Sequence, residues 1–302
     1  MTVLPIPLRI DLRGRSLTRI DDLSAAELEA ILDRADELKR LQAAREPHRL
    51  LEGRALGLLF RKHSTRTRVS LEVAIAQLGG VAVQLPPEEL QLARGESIAD
   101  TARVLSRYLD AIAVRTHAQA EVDELAGAAS VPIVNALTDE GHPLQALADL
   151  QTIRERFGTL DGLKIAWVGD GSNVCASLAA GCALLGVPFF SASPPGYEAA
   201  AGEAVLDPRE AVRGAHVLVT DVWASMGQES ERARRARDLA PYALDSTLLA
   251  LADPDVIVLH CLPAHPGEEI AADVLYGPQS AVWDEAENRL HTAKALLALL
   301  CG

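Results

Sequence analysis

The chain has 302 residues, of which 49% are apolar and 24% charged, enough to bury a sizeable core and a composition that excludes wholesale disorder. Asp and Glu outnumber Lys and Arg by 42 to 29, and the net charge of -13 argues against binding nucleic acid or an anionic membrane through a global field. The four scattered cysteines (Cys175, Cys182, Cys261, Cys301) form no C-x-x-C pair, and neither a cleavable leader nor the ~20-residue apolar run of a membrane helix is visible, so a soluble cytoplasmic protein is expected.

An amphipathic pattern over 24–42 (Leu28, Ile31, Leu32, Ala35, Leu38) predicts an N-terminal helix. From Ala55 onward, short β-like runs alternate with helical spacings. Strands are expected at 55–60, 81–85, 111–115 and 131–134, then at 164–168, 187–191, 216–220, 256–260 and 280–283. Helices are expected at 65–78, 97–109, 118–128, 142–157, 173–185 and 285–301. Strands joined by helix-length connections favour parallel sheets covered by helices. The expected fold is therefore α/β with two domains, each a parallel sheet flanked by helices, and a cleft between them. The first would take residues 1–145, joined by the C-terminal helix 285–302, and the second 146–284.

Ligands of open α/β sheets bind beyond the carboxyl ends of strands. Chemically loaded residues fall there repeatedly: Arg61 to Arg68 after the first strand, Arg115 to His117 after the third, and Asn135 with His142 to Gln145 after the fourth. In the second group, Gly169 to Asn173, Asp221 to Gly227 and His260 to Pro263 occupy the same position. Ser64 precedes a helical run and suits an N-cap, but three hydroxyls (Ser64, Thr65, Thr67) interleaved with Arg66 and Arg68 exceed what capping requires. A helix N-terminus with hydroxyls and bidentate guanidiniums is an anion site for phosphate or carboxylate. Beside it, Arg115, His142 and Gln145 are suited to polarising a carbonyl.

Gly169-Asp170-Gly171 invites a dinucleotide reading, yet Val174 stands where the third glycine belongs, and Ser191-Ala192-Ser193 where an acidic residue should end the next strand. That excludes a nicotinamide cofactor and leaves a tight turn into a helix, with Asn173 as either cap or ligand. Asp221 and Ser225 suit an ammonium group or a helix cap. His260 and Cys261 are neighbours on an expected strand, so their side chains should point apart and form no dyad.

These clusters resemble the aspartate/ornithine carbamoyltransferase family over nearly the whole chain, from about Ser16 to Leu300. Phe60-Arg61-Lys62-His63-Ser64-Thr65-Arg66-Thr67-Arg68 is similar to its carbamoyl-phosphate motif, which both branches share. Asp221-Val222-Trp223-Ala224-Ser225-Met226-Gly227 and His260-Cys261-Leu262-Pro263 resemble the elements of the ornithine branch, and His142 to Gln145 and Asp284 to Arg289 match as well. The resemblance implies carbamoyl transfer from carbamoyl phosphate to the δ-amine of L-ornithine, giving L-citrulline and phosphate, with no metal or organic cofactor. It implies that Ser64, Thr65, Arg66, Thr67, Gln91, Arg115, His142, Gln145, Cys261, Leu262 and Arg289 form the carbamoyl-phosphate site, mostly in 1–145. In 146–284, Asn173, Asp221, Ser225 and Met226 would hold ornithine. Arg115, His142, Cys261 and Asp221 would serve catalysis, with Cys261 or Asp221 on the proton path. A homotrimer, or a multiple of trimers, is implied too, with helix 65–78 suited to its interface and Gln91 reaching an adjacent subunit. Rival readings are another acceptor (aspartate, putrescine or an acylated ornithine) and a non-catalytic relative that only binds.

Overall fold

In the computed structural model, which describes residues 10–199, 201–224 and 229–302, the chain divides into two compact units. One comprises Met1–Leu147 with Arg289–Gly302, the other Ala148–Asn288, where the sequence suggested ends at 145 and 285.

In the first unit, helix α1 (Ala25–Ala43) opens with a reciprocal cap. Ser24 Oγ accepts the Glu27 N–H at 3.3 Å, and the Glu27 carboxylate accepts the Ser24 N–H at 2.8 Å. Leu28, Ile31, Leu32, Ala35 and Leu38 line its buried face, as their spacing requires. Then follow β1 (Ala55–Phe60), α2 (Thr65–Gln77), β2 (Val81–Gln84), α3 (Ile98–Leu105), β3 (Ala111–Arg115), α4 (Gln119–Ala128), β4 (Ile133–Leu137) and α5 (Pro143–Phe157). The strands form one parallel sheet in the order β2-β1-β3-β4, with Phe60 in register with Arg115. Helices flank the sheet, and Leu59, Ile112, Val114, Val122 and Ile133 form the heart of one core cluster.

Strand β4 begins two residues later than expected. Val131-Pro132 leads into it, and the Pro132 carbonyl accepts the Ile112 N–H at 2.9 Å. Asn135 consequently lies inside the strand, fully buried, where its amide donates to the Thr18 carbonyl and to Gln119 Oε1. It ties the N-terminal segment to the sheet, alongside the bridge of Leu17 to Val134.

The second unit runs through β5 (Ile165–Val168), α6 (Asn173–Leu184), β6 (Phe189–Ala192), β7 (Glu203–Val205), α7 (Pro208–Val212) and β8 (Val217–Thr220). It continues with α8 (Arg232–Leu239), α9 (Ser246–Leu249), β9 (Ile257–His260), α10 (Ala272–Leu275) and α11 (Val282–Cys301), whose last residues belong to the first unit. Its sheet is also all parallel, in the order β7-β6-β5-β8-β9. Ala166, Val168, Leu218, Val258 and Ile270 are fully buried in its main core cluster.

Two sheets of four and five parallel strands match the expected α/β architecture, but the fifth strand of the second sheet is not the expected one. Residues 280–283 form no strand: Ser280 makes one isolated bridge with Val258, and α11 begins at Val282. The place is taken by β7, whose Glu203-Ala204-Val205 has only half-buried or exposed side chains and hence no apolar run to reveal it.

Candidate active site

Both sheets carry their chemistry where strand order turns back on itself. β1 lies between β2 and β3, and β5 between β6 and β8. The loops leaving the carboxyl ends of such central strands diverge and open a crevice.

In the first unit, β1 hands the chain to Arg61-Lys62-His63, and Ser64 caps α2, its Oγ accepting the Thr67 N–H at 3.2 Å. The cap and the anion site coexist, because the remaining first-turn N–H groups and the positive end of the helix dipole still face outward. Thr65 and Arg66 are exposed at that end, while Thr67 is buried. Arg289 arrives from α11 and joins two loops: its Nη2 donates to Thr67 Oγ1 at 3.1 Å, and its Nη1 donates to Gln145 Oε1.

His142, just ahead of α5, is 4% exposed. Burial, and then the positive charges of Arg289, Arg115 and Arg66, hold its imidazole well below the usual histidine range, so it is neutral. Three guanidiniums therefore converge around one uncharged ring at the N-terminus of a helix, a concentration of positive potential suited to an anion. Lys62, also buried, pairs with Asp139, whose other oxygen lies 3.6 Å from His117 Nδ1. A cavity of about 770 Å³ opens alongside, lined in part by Arg61, Lys62, His63, Ser64, Thr65 and Arg68. Gln91 stands apart from this cluster: it is exposed on a single 3-10 turn (Gln91–Arg94) and accepts from Arg94 at 3.3 Å.

In the second unit, Gly169 and Gly171 shape the turn after β5 for separate reasons. Gly169 has φ +124°, which L side chains rarely adopt, and a Cβ on Gly171 would lie 2.3 Å from the Ala199 nitrogen. Ser172, not Asn173, caps α6, accepting the Cys175 N–H at 3.5 Å. That leaves Asn173, at the first helical position and half-buried, to other contacts. Asp221 follows β8, is 5% exposed, and accepts the Val222 N–H at 2.8 Å and the Cys261 thiol at 3.0 Å on the same oxygen. Burial, followed by the charges of Asp221, Glu285 and Asp149, pushes the Cys261 thiol well above its ordinary range, so it stays protonated.

The strand alternation expected for His260 and Cys261 does not hold, because β9 ends at His260. Donor atoms of Asp221, His260 and Cys261 all lie within 4.8 Å of one another. No dyad forms, since each group has its own partner. The His260 Nδ1 accepts the Leu262 N–H at 2.9 Å, and its Nε2 lies 3.2 Å from Glu269 Oε1. Leu262 thus turns on the ring of His260, with a φ of +59°. Those three residues, and His265 with Glu268 and Glu269, have donor spacing that a metal could use. Ser225 and Met226 lie outside the described residues.

Sequence reasoning missed three buried groups in this unit. Glu285 accepts the His260 N–H at 2.8 Å and fixes the end of β9. Glu269 holds the His260 ring, and Arg235 on α8 bonds to Asp170 and to the Trp223 carbonyl. Glu285 sits inside the Asp284 to Arg289 element and was in view. Nothing in the sequence separates Arg235 from the other arginines of α8.

Family models match nearly the whole chain: the aspartate/ornithine carbamoyltransferase carbamoyl-P binding domain over residues 15–155, and the Asp/Orn binding domain over residues 161–300. The chain belongs to the aspartate/ornithine carbamoyltransferase family. Within that family it is 54% identical over 291 residues to the ornithine carbamoyltransferase of Methanoculleus marisnigri, covering 92% of this chain and 94% of that one. It is 55% identical over 304 residues to that of Thermosynechococcus vestitus, covering 96% of each. Its structure is similar to that of the Pyrococcus furiosus ornithine carbamoyltransferase, with a TM-score of 0.94 and 48% identity over 97% of this chain and 99% of that one. Among carbamoyltransferases, then, its relatives at half identity are named for ornithine.

Proposed function

We propose that this chain is an ornithine carbamoyltransferase, moving the carbamoyl group of carbamoyl phosphate to the δ-amine of L-ornithine and releasing L-citrulline and phosphate. The observation that carries the reading is the convergence of Arg66, on the first turn of α2, with Arg115 and Arg289 on a neutral, buried His142. Relatives at 54% and 55% identity that bear the same name support it.

In this reading, residues 1–145 with 285–302 bind carbamoyl phosphate and 146–284 bind ornithine. The phosphate rests on Ser64, Thr65, Arg66 and Thr67. Arg115 and His142 donate to the carbamoyl oxygen as charge grows there, Gln145 orients the carbamoyl end, and Arg289 holds Gln145 and Thr67 in place. His142 acts as a neutral donor, since its surroundings oppose an imidazolium. Gln91, Cys261 and Leu262 complete the donor site.

Ornithine is held by Asn173, Asp221, Ser225 and Met226. Its δ-ammonium must lose a proton before attack. The Asp221 carboxylate takes that proton, with the Cys261 thiol as its hydrogen-bond donor, and departing phosphate takes the second proton, which the nitrogen sheds once it is bonded to the carbamoyl carbon. The C–N bond to ornithine forms as the C–O bond to phosphate breaks.

A homotrimer in the cytoplasm, serving arginine biosynthesis or its catabolic reverse, completes the reading. Leu71 and Ile75 of α2, with Leu78 just after it, face the unit's own core, whereas Val69 and Val73, with Val81 and Val83 of the edge strand β2, are exposed and suit a neighbouring copy. An exposed Gln91 suits the same arrangement. The experiment that tests the function is product formation from carbamoyl phosphate with L-ornithine, N-acetyl-L-ornithine, putrescine, L-aspartate and L-lysine. Strong preference for L-ornithine is expected; transfer to another acceptor alone overturns the ornithine site.

A further inference from the structure

We propose that His265, Glu268 and Glu269, on the turn after β9, form a site for one divalent ion of the zinc and cobalt class. The site lies within the second unit and uses none of the residues assigned above to either substrate.

The sequence brings the first two ligands together. His265-Pro266-Gly267-Glu268 is a β-turn, closed by the Glu268 N–H donating to the His265 carbonyl at 2.9 Å. Proline and glycine occupy its two corners, the residues such turns favour, and its ends lie side by side. Glu269 follows on the buried side, fully shielded from solvent, with its carbonyl accepting the Leu244 N–H at 2.9 Å. Donor atoms of the three side chains all lie within 4.8 Å of one another.

Glu269 carries the argument. Its Oε1 accepts the His265 N–H and lies 3.2 Å from His260 Nε2. Its Oε2 is equally buried, yet no hydrogen bond from a described residue reaches it. A buried carboxylate oxygen left in that state is costly. The His265 Nδ1 stands 3.6 Å away, too far for a hydrogen bond. That gap is the spacing of two donors around one ion, since bonds of ~2.0–2.2 Å in a tetrahedral shell put neighbouring donors ~3.3–3.6 Å apart.

Glu268 supplies the third donor from the surface, where it also pairs with Arg232 at 2.6 Å, a solvated and therefore weak pair. One imidazole nitrogen with two carboxylates favours an ion of intermediate softness over magnesium or calcium, which take oxygen shells. Three donors leave one position for water. Bound there, the ion satisfies Oε2 while Oε1 keeps its place beside His260, and so clips the turn to the end of β9.

The test strips tag-free, full-length protein with a chelator, removes the chelator, and titrates Co²⁺ by visible absorption and Zn²⁺ by calorimetry. Wild type is compared with His265→Ala, Glu268→Gln and Cys261→Ser. One ion per chain is expected, with the visible bands of low-coordinate Co²⁺ and no thiolate-to-cobalt charge-transfer band. Losing a group that merely orients a ligand costs ~10–100-fold in metal affinity, so losing a ligand in His265→Ala should cost at least ~100-fold and Glu268→Gln at least ~10-fold. Cys261→Ser should bind within about twofold of wild type. Zn²⁺ should raise the thermal unfolding midpoint of stripped wild type and leave that of His265→Ala unchanged.

No saturable binding to wild type overturns the site. A charge-transfer band, with binding lost in Cys261→Ser, moves the ion to the equally close donors of Asp221, His260 and Cys261 and overturns it too. Unchanged affinity in both His265→Ala and Glu268→Gln does the same. Both ligands are partly exposed, so their variants should fold, and where one does not the other carries the comparison.

Discussion

Cys261 donates its thiol hydrogen to Asp221 across 3.0 Å, joining a loop after β9 to the loop after β8. Because burial and the neighbouring carboxylates oppose a thiolate, the sulfur enters the reaction as a donor, and the carboxylate is the group able to receive a proton.

Cys261→Ser, which keeps a donor, should therefore retain more activity than Cys261→Ala. Thiolate absorbance near 240 nm assignable to Cys261 should be absent at pH 9, where an ordinary thiol is about half ionised. A difference spectrum between wild type and Cys261→Ser across pH 7 to 10 checks this, and a thiolate seen near neutrality would contradict it.

His142 should behave as a neutral ring throughout the working range. Its imidazole is held low, so the unfolded chain takes up a proton near pH 6.5 that the folded chain refuses, and stability falls as pH drops through that value. Heteronuclear NMR should show no titration of His142 as pH falls to about 6. His142→Ala should lower kcat by ~10²–10³-fold, the scale seen when one donor to a developing oxyanion is removed.

Arg66 and Arg289 should separate function from stability. Arg66 is exposed, so Arg66→Ala should cripple turnover, raising the KM for carbamoyl phosphate by ~10- to 100-fold, yet change unfolding free energy by less than ~0.5 kcal/mol. Arg289 is buried against Thr67 and Gln145, and Arg289→Ala would remove a charged donor from both, costing ~2–3 kcal/mol of stability as well as activity. Urea unfolding beside initial rates distinguishes the two; near-normal activity in Arg66→Ala would remove the anion-site assignment.

The glycines after β5 show how much of this site was legible and where legibility stopped. Their presence marked a turn, and the missing third glycine excluded a dinucleotide site, both from local sequence. That Gly171 is required by close approach of Ala199, 28 residues on, is a property of the fold alone. The same holds for Arg289 with Thr67 and for Arg235 with Asp170: motif order marked the first pair's region, but four arginines in α8 look alike until one is buried. Strands with apolar runs were visible from their period. β7 was not, because its exposed edge needs no such run, and 280–283 misled because its apolar residues lead into a buried helix.

Gly171→Ala should cost ~1–3 kcal/mol, since a Cβ 2.3 Å from a backbone nitrogen forces one loop to move. Gly127→Ala, in α4 with open space around its Cβ position and an ordinary φ, should be neutral or stabilise by up to ~1 kcal/mol. Comparative thermal unfolding of the two variants checks the contrast, and equal effects would contradict it.

Asp170 pairs with Arg235 at a cost to the fold. Burial raises its carboxyl from 3.8 to about 6 despite the attraction of Arg235, and the like charges of Asp221 and Glu231 add to the shift. A raised carboxyl means the folded chain holds this proton more tightly than the unfolded one. Its contribution is therefore most favourable below the unfolded value and is lost as pH rises from about 4 to about 6. At ~1.4 kcal/mol per unit, ionising Asp170 costs the fold up to ~3 kcal/mol. Asp170→Asn should accordingly gain stability relative to wild type between pH 4.5 and 7, read by urea unfolding at both values. A variant that loses stability relative to wild type over that interval would contradict this reading of the ion pair.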